Sequence, residues 1–430
     1  MAELKLTPYW WEAAPRPDAM LIDVPNKTDV CIVGAGYAGL SAALRLSRAG
    51  RSVVVFDSQR AGEGASSRNG GIASGNIKYS FTDMIAKFGL ERAMDFYAEG
   101  IAARNHLEAM IEAENIDCSF KMVGRYTGAN SQRDYDKLAR EADLLNKHLD
   151  LDVEMVSRAD QHKELGTDHY VGGQVRADIA GLHPGLLHQG ILDRVIEAGV
   201  SVICQTRVTA IAQGDEGFVV TTSRGQTRAG NIIVATNGYT DGLIHWLKRR
   251  IISIPSQIIA TEALAPEQMN RLMPRRRMLG NTLNLYNYYR PSPDGQCIIF
   301  GGRRGADTDD PVKKTESLRA QLLQVFPELK DTGLTHSWWG YTGYTFDLLP
   351  KVLVHEGIHY ALGFCGSGVV WANWLGLKAA LSLLGEKDAE TVFANYPFQT
   401  RPLYHGNPWF LPFVIGWYGI KDRFGLGRLG

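Results

Sequence analysis

The amino-acid sequence predicts an α/β fold, and three features of its first sixty residues carry that prediction. A short apolar run rich in β-branched residues, TDVCIV at 28–33, is typical of a buried parallel strand. Glycines in the spacing G-x-G-x-x-G follow this run: Gly34, Gly36 and Gly39. A helix-like segment at 37–49 and a second apolar run at 52–56 complete the unit, which ends at Asp57. The strand–helix–strand order predicts a Rossmann-type dinucleotide-binding unit.

Each residue type in this unit has a physical reason. Gly34 permits the tight turn from strand to helix, Gly36 lets the backbone approach a pyrophosphate, and Gly39 lets helix and strand pack closely. The helix N-terminus around Ala38 offers free N–H groups and the positive end of the helix dipole. Asp57 lies where a carboxylate accepts hydrogen bonds from ribose hydroxyls. The alternative is a glycine-rich turn with a purely structural role.

A loop of small residues follows the second strand, RAGEGASSRNGGIASG at 60–75. Such a loop can run along a flat, extended cofactor, with Arg68 neutralising phosphate while Ser66 and Asn69 donate hydrogen bonds. The cofactor-binding candidates in this region are Ser58, Ser66, Ser67, Arg68, Asn69, Gly70 and Gly71. A flexible surface loop is the alternative interpretation.

The amino-acid composition narrows the classes of function that the chain can have. The chain has 430 residues, 45% of them hydrophobic and 21% charged, which is typical of a globular protein of two or three domains. It carries 46 Lys and Arg against 46 Asp and Glu, so the basic excess of a nucleic-acid binder is missing. Five scattered cysteines without metal spacing, and a first segment without a signal-peptide pattern, predict a cytoplasmic protein.

The glycine unit and the GASSRNGG loop resemble the D-amino-acid-oxidase-type flavoprotein family. Later segments resemble further motifs of that family and appear in the same order along the chain. IIVATNG at 232–238 is similar to an A-T-x-G motif near FAD, and YYRPSPDG at 288–295 with FGG at 300–302 to a substrate-domain hairpin. WWG at 338–340 with Pro350, and GFCGSG at 363–368, resemble the remaining motifs. Within the family the chain looks most like the γ-glutamylputrescine oxidoreductase branch, which shares a Tyr-Trp element such as Tyr9-Trp10.

The resemblance implies an FAD-dependent oxidoreductase that moves a hydride from the carbon of an amine C–N bond to flavin N5, giving an imine that hydrolyses. It adds these cofactor-binding candidates: Val208, Thr236, Asn237, Gly238, Trp339, Gly363, Gly366, Ser367, Gly368 and Val369. The segment 363–368 precedes a predicted helix, whose N-terminus would stabilise negative charge on the flavin. Because the loop at 60–75 holds no Cys or His, we expect FAD to bind noncovalently.

Two positions depart from the sarcosine-oxidase branch of the family. That branch has a substrate-carboxylate lysine where this chain has Val370, and an oxygen-activating lysine on the strand that here reads CIIF at 297–300. The first departure argues against a small α-amino acid as substrate. The second leaves the electron acceptor open.

Aromatic and charged residues near the motifs supply the candidates for chemistry. The catalytic candidates are Tyr288, Trp339 and Asn373, and the substrate candidates are Tyr286, Arg303 and Tyr344. Aromatic walls suit a cationic amine, although aromatic side chains also fill ordinary cores. We expect no metal, because the two histidines of HEGIH at 355–359 flank a glycine in a strand-like segment.

The fold expected from these motifs has two domains and a tail. A discontinuous Rossmann-type FAD-binding domain takes 1–80, 150–245 and 335–400, and an α+β substrate domain with a largely antiparallel sheet takes 81–149 and 246–334. The aromatic tail at 401–430 is interpreted as a covered structural segment or as a peripheral membrane contact. Two alternative functions stay open, a membrane-coupled amino-acid dehydrogenase that reduces quinone and a noncatalytic flavin-binding sensor or subunit. The oligomeric state is not predicted.

Overall fold

The computed structural model describes residues 3–16, 22–302, 311–394 and 396–425. The strands are β1 (Lys27–Val33), β2 (Val53–Phe56), β3 (Ile72–Ala73), β4 (Lys121–Met122), β5 (Arg125–Gly128), β6 (Val153–Ser157), β7 (Gly172–Arg176), β8 (Ala180–Gly181), β9 (Ser201–Ile203), β10 (Val208–Gly214), β11 (Gly217–Thr222), β12 (Gly225–Val234), β13 (Ile252–Thr261), β14 (Met278–Asn281), β15 (Tyr288–Pro291), β16 (Ile298–Gly302), β17 (Leu334–Tyr344), β18 (Lys351–His355) and β19 (Ile358–Leu362). The α-helices are α1 (Tyr37–Arg48), α2 (Phe81–Phe88), α3 (Leu90–Ala113), α4 (Gln132–Leu149), α5 (Pro184–Glu197), α6 (His245–Lys248), α7 (Pro266–Leu272), α8 (Pro311–Val325), α9 (Gly368–Leu384) and α10 (Leu411–Arg423).

The first large sheet contains the predicted strand–helix–strand unit. Its order is β10-β11-β12-β1-β2-β9, and β19, which is paired with β18, adds to β12. The strands β9, β2, β1, β12 and β19 run parallel, as their apolar sequences predict. Helix α1 packs so closely on α9 that a Cβ at Gly376 would lie 2.2 Å from the carbonyl oxygen of Ala38. The predicted α/β fold is therefore confirmed.

The second large sheet has the order β17-β13-β16-β15-β14-β5-β7-β6 and is antiparallel except for the β14–β5 pair. Its membership differs from the domain borders expected from the sequence. Strands β6, β7 and β17 belong to this sheet, although 150–245 and 335–400 were expected in the cofactor domain. Strand pairing between distant segments decides membership, and no local pattern encodes that choice. The two-domain division itself stays a prediction.

Helices α2 and α3 also lie differently from the expectation that placed 81–149 in the substrate domain. Phe81, Ala93 and Phe96 share one hydrophobic core with Val30 of β1 and Leu40 of α1. The sequence predicts one helix over 83–115, but Gly89, with φ +83°, separates α2 from α3. These helices therefore bury their apolar faces against the cofactor unit.

Helix α10 forms most of the tail that the structure describes. Tyr404 packs with Ile252 and Tyr344 in a small core, and its hydroxyl donates to the carbonyl of Ile251. None of the described helices combines the length and apolar character needed to cross a membrane.

Candidate cofactor and substrate site

A cavity of about 670 Å³ lies at the carboxyl ends of the parallel strands and continues to the second sheet. Val33 of β1, Phe56 of β2 and Ala235 after β12 line it together with the N-termini of α1 and α9. In open α/β sheets, ligands bind in this crevice beyond the strand ends. The cavity therefore lies where the glycine unit predicts a dinucleotide.

The N-terminus of α1 opens into this cavity. Gly36 begins the helix with φ −86° and ψ −176° and provides no side-chain cap of its own; of the first N–H groups, that of Tyr37 donates to the Ser66 hydroxyl. Gly34 has φ +111°, and a Cβ at Gly39 would lie 1.9 Å from the Gly34 carbonyl oxygen. The structure thus places Gly34, Gly36 and Ala38 on the cavity wall, while Gly39 serves the close packing beneath it.

Asp57 and Ser58 line the cavity at the end of β2. The Asp57 carboxylate accepts hydrogen bonds from the N–H groups of Ala35 at 2.8 Å and Gln59 at 2.9 Å. Each oxygen keeps a further lone pair for a donor in the cavity. Burial raises the pKa of the Asp57 carboxyl to about 6. The carboxylate is thus held rigidly at the edge of the cavity.

A second helix N-terminus faces the same space. Gly366, Ser367, Gly368 and Val369 line the cavity, and Ser367 begins α9 without a side-chain cap. Helices α2 and α4, in contrast, are capped by the side chains of serines at their N-cap positions. Two N-termini whose N-cap residues provide no side-chain cap leave backbone N–H groups for a ligand. This arrangement fits a pyrophosphate at α1 and an electron-rich ring at α9.

The loop after β2 is tied down by its own hydrogen bonds. Ser66, Arg68, Asn69 and Gly70 line the cavity. The Asn69 amide donates to the carbonyl of Ser66 at 2.8 Å and accepts from the N–H of Gly71 at 2.8 Å. Arg68 donates to the carbonyls of Glu63 and Trp339. Ser66 accepts from the N–H of Tyr37, so its hydroxyl joins the loop to α1.

The N-terminal Tyr-Trp element explains part of this rigidity. The indole N–H of Trp10 donates to the Asn69 carbonyl at 2.8 Å, and that of Trp11 donates to the Ser67 hydroxyl at 2.8 Å. Ser67 is buried and donates in turn to the Gly62 carbonyl. The Arg68 guanidinium lies 4.7 Å from the centre of the Trp11 ring. Sequence reasoning noticed Tyr9-Trp10 but missed this role, since no local pattern links residues sixty positions apart.

The segment after β12 connects the two halves of the cofactor region. Thr236, Asn237 and Val208 line the cavity. The Asn237 side-chain oxygen accepts from the N–H of Gly363 at 2.9 Å. A Cβ at Gly238 would lie 2.8 Å from backbone atoms of Thr342. Several predicted cofactor residues support the wall without lining the cavity: Gly39, Ser67, Gly71, Gly238 and Gly363.

Three of the chemistry candidates do not line the cavity, and these positions correct the sequence analysis. Trp339 is 45% exposed and meets Tyr341, which does line the cavity, at a ring distance of 5.2 Å. Tyr344 is buried in the small core around Tyr404. Asn373 is buried one turn into α9, where its amide donates to the Val369 carbonyl. Side-chain direction in a strand or helix depends on the phase of the element, which a motif does not specify.

Of the remaining candidates for chemistry and substrate binding, two line the cavity and one falls outside the described residues. Tyr286 and Tyr288 line the cavity, and the Tyr288 hydroxyl lies 2.9 Å from the Ser256 hydroxyl. The ammonium of Lys78 lies 4.6 Å from the centre of the Tyr286 ring. Arg303 falls outside the described residues. Within those residues, no cluster of His, Cys, Asp or Glu is suited to a metal ion.

A group of charged side chains that line the cavity was missed by the sequence analysis. Asp134, Lys137, Arg140 and Glu141 of α4 line it, and so does Arg176 of β7. Arg176 is paired with Asp178 at 2.7 Å, and the Glu141 carboxylate accepts from the N–H groups at the start of α2. Tyr239 and Ser256 were missed as well. No motif marks these residues, because only folding brings α4 and β7 to the cavity.

Comparison with known proteins agrees with this geometry. A family model described as FAD dependent oxidoreductase matches residues 29–380. The gamma-glutamylputrescine oxidoreductase of Escherichia coli is 28% identical over 403 residues, which are 93% of each chain. The probable oxidoreductase OrdL of Rhizobium meliloti is 28% identical over 427 residues, covering 96% of this chain and 97% of that protein. The crystal structure of glycine oxidase from Geobacillus kaustophilus superposes with a TM-score of 0.71 at 19% identity, covering 88% of this chain and 99% of that one.

These findings confirm the resemblance inferred from the motifs and the cofactor inferred from it. The matched range begins at β1 and ends within α9, so it contains both helix N-termini of the cavity. The chain belongs to the family of FAD-dependent oxidoreductases, and its cofactor is FAD.

Proposed function

We propose that this oxidoreductase oxidises a C–N bond of an amine, and that its substrate is an extended polyamine or amino-acid derivative similar to γ-glutamylputrescine. The observation that carries the proposal is the continuity of the cavity. Its wall includes Gly36 and Asp57, the aromatic side chains of Tyr286 and Tyr288, and charged side chains of α4. A single cavity lined by aromatic and charged side chains as well as the glycine unit suits an extended cationic substrate. The name of the Escherichia coli relative supports the same substrate class.

Different residues of the chain stabilise the flavin and hold the substrate. FAD held against Gly36, Asp57 and the N-terminus of α9 would supply the oxidising chemistry, taking up a hydride from the carbon of the C–N bond and leaving an imine for water to hydrolyse. The N-terminus of α9 at Gly368 stabilises the negative charge that reduction brings. Tyr286 and Tyr288 hold the amine against their rings, and the Ser256 hydroxyl fixes the Tyr288 hydroxyl.

We further propose that FAD is held without a covalent bond. Cys365 lines the cavity, but its thiol donates to the Gly363 carbonyl at 3.2 Å. Burial raises the pKa of this thiol, so the thiolate that attaches to a flavin is disfavoured. Precipitation in acid is expected to release the whole flavin into the supernatant.

The affinity for FAD is expected to fall as the pH is lowered through about 6. The ionised Asp57 carboxylate accepts ribose hydroxyls better than the protonated form, so binding lowers its pKa and releases a proton. Affinity then drops by at most about tenfold for each pH unit below the pKa of about 6. Flavin fluorescence titrations of the apoprotein check this, with Asp57→Asn expected to bind FAD more weakly and with no pH dependence. A wild-type affinity that is constant between about pH 8 and about pH 5 would contradict the role of Asp57.

The substrate class is tested by anaerobic titration of the holoenzyme, followed by the absorbance of the oxidised flavin. We expect γ-glutamylputrescine or a related extended amine to bleach this band, and sarcosine or small α-amino acids to bleach it much more slowly. Tyr288→Phe is expected to keep its FAD and to slow bleaching by about tenfold, since one hydrogen bond in the site is lost.

Bleaching by a small α-amino acid alone would contradict the extended substrate. If no amine bleaches a fully loaded holoenzyme, the catalytic proposal is wrong and a noncatalytic flavin protein is favoured.

A further inference from the structure

Helix α10 is unusual among the described helices because it carries no charged residue before Lys421 and yet has no buried residue. Its sequence, LPFVIGWYGIKDR, contains aromatic or aliphatic residues on all faces. A helix of this composition is normally covered by a core, a partner or a membrane. No other described element of the chain covers it.

The exposed side chains form one continuous stripe. Phe413, Trp417, Ile420 and Phe424 follow one another at helical spacing and are between 52% and 75% exposed. Trp409, just before the helix, extends the stripe and is also exposed. Clusters of large apolar side chains are rare on the surface of a monomer and mark interaction sites.

The exposed charged side chains near the stripe are basic. Arg401 and Arg423 are exposed, and the Lys421 ammonium lies 5.4 Å from the centre of the Trp417 ring. Asp422 is the sole acidic residue of segment 401–425, and it is turned towards the body of the protein. Its carboxylate accepts from the backbone N–H and the side-chain amide of Asn284, both at 2.8 Å, and so anchors α10.

We propose that α10 docks the protein onto the surface of an anionic lipid bilayer. With 13 residues the helix is shorter than the roughly 20 needed to span the hydrocarbon core, so it lies in the plane of the interface. Tryptophan and tyrosine favour this zone, and Lys and Arg beside it attract anionic headgroups. A second copy of the chain offers no free acidic partner on its own α10 segment, so charge complementarity favours the lipid.

The test is flotation of the FAD-loaded holoenzyme with two kinds of vesicle, phosphatidylcholine alone and an equal mixture of phosphatidylcholine and phosphatidylglycerol. We expect at least about tenfold more protein to float with the mixed vesicles, and high salt to release part of it. The variant Phe413→Ser/Trp417→Ser is expected to lose about tenfold or more of this binding and to keep its flavin. The control Leu6→Ser/Val354→Ser removes two other exposed apolar side chains, 54% and 51% exposed, and is expected to bind like the wild type.

Two results would overturn the proposal. One is a wild-type holoenzyme that does not float with the mixed vesicles. The other is equal loss of flotation in both double variants, which would show that α10 is not the binding element. Light scattering measures the oligomeric state as a third test. A wild-type dimer that becomes a monomer in Phe413→Ser/Trp417→Ser would identify a second copy as the occupant and contradict docking onto lipid.

Discussion

Replacing Gly36 with valine is expected to weaken FAD binding at least about a hundredfold, or about 2.7 kcal/mol, and to leave the fold intact. The extended backbone at Gly36, φ −86° and ψ −176°, is one that valine adopts readily. In the protein itself the new Cβ would lie 2.9 Å from the Ser66 hydroxyl alone, so only the end of that side chain has to shift. The methyl groups therefore fill the space that the pyrophosphate needs at the N-terminus of α1.

The measurement is a flavin fluorescence titration of the apoprotein, with circular dichroism as the check on folding. Gly214→Val is the matched control, because a Cβ there lies at an ordinary 3.5 Å from its neighbour at the far end of β10. We expect the control to bind FAD like the wild type. A Gly36→Val variant that binds FAD with unchanged affinity would show that the pyrophosphate does not lie against this turn.

Replacing Lys351 with methionine is expected to lower the free energy of unfolding by about 3–5 kcal/mol. Lys351 is 1% exposed, and its ammonium lies 2.5 Å from the Asp347 carboxylate. The variant leaves the Asp347 carboxylate buried without its counter-charge. The backbone carbonyl of Asp347 accepts from the Tyr79 hydroxyl, and Tyr79 lines the cavity.

Urea denaturation of the holoenzyme and of the variant measures the difference. Asp347→Asn/Lys351→Met removes both charges and is expected to recover much of the loss, because no unpaired charge remains in the interior. The exposed pair of Lys5 and Glu12 is the control, and Lys5→Met is expected to change stability by less than about 1 kcal/mol. A double variant as unstable as Lys351→Met would assign the loss to packing rather than to charge.

Most of the residues predicted around the glycine unit line the cavity, because the sequence signal for them is local. The glycines, the helix and Asp57 lie within thirty residues of one another, and each residue is required by the contact that its own turn makes. The glycines around 366 carry the same kind of signal, because the backbone must reach a ligand there.

The substrate half is predicted poorly because its residues come from distant segments. Trp339 and Asn373 follow recognisable motifs, yet their side chains lie outside the cavity wall, since strand and helix phase decide where they point. Arg176 and Glu141 line the cavity without any motif. Their positions depend on how β7 joins the second sheet and how α4 packs beside it.

The sequence by itself determined the α/β class, the strand–glycine–helix unit, the candidate cofactor residues around Asp57 and the apolar character of the tail. Only the tertiary structure decided that β6, β7 and β17 join the antiparallel sheet, that Trp10 and Trp11 brace the loop at 66–71, and that α10 turns its aromatic stripe to solvent. The physical reason is the distance along the chain between the residues that interact. Turns, helix starts and strand ends follow from neighbours along the chain, whereas sheet membership, side-chain direction and exposure follow from contacts that folding creates.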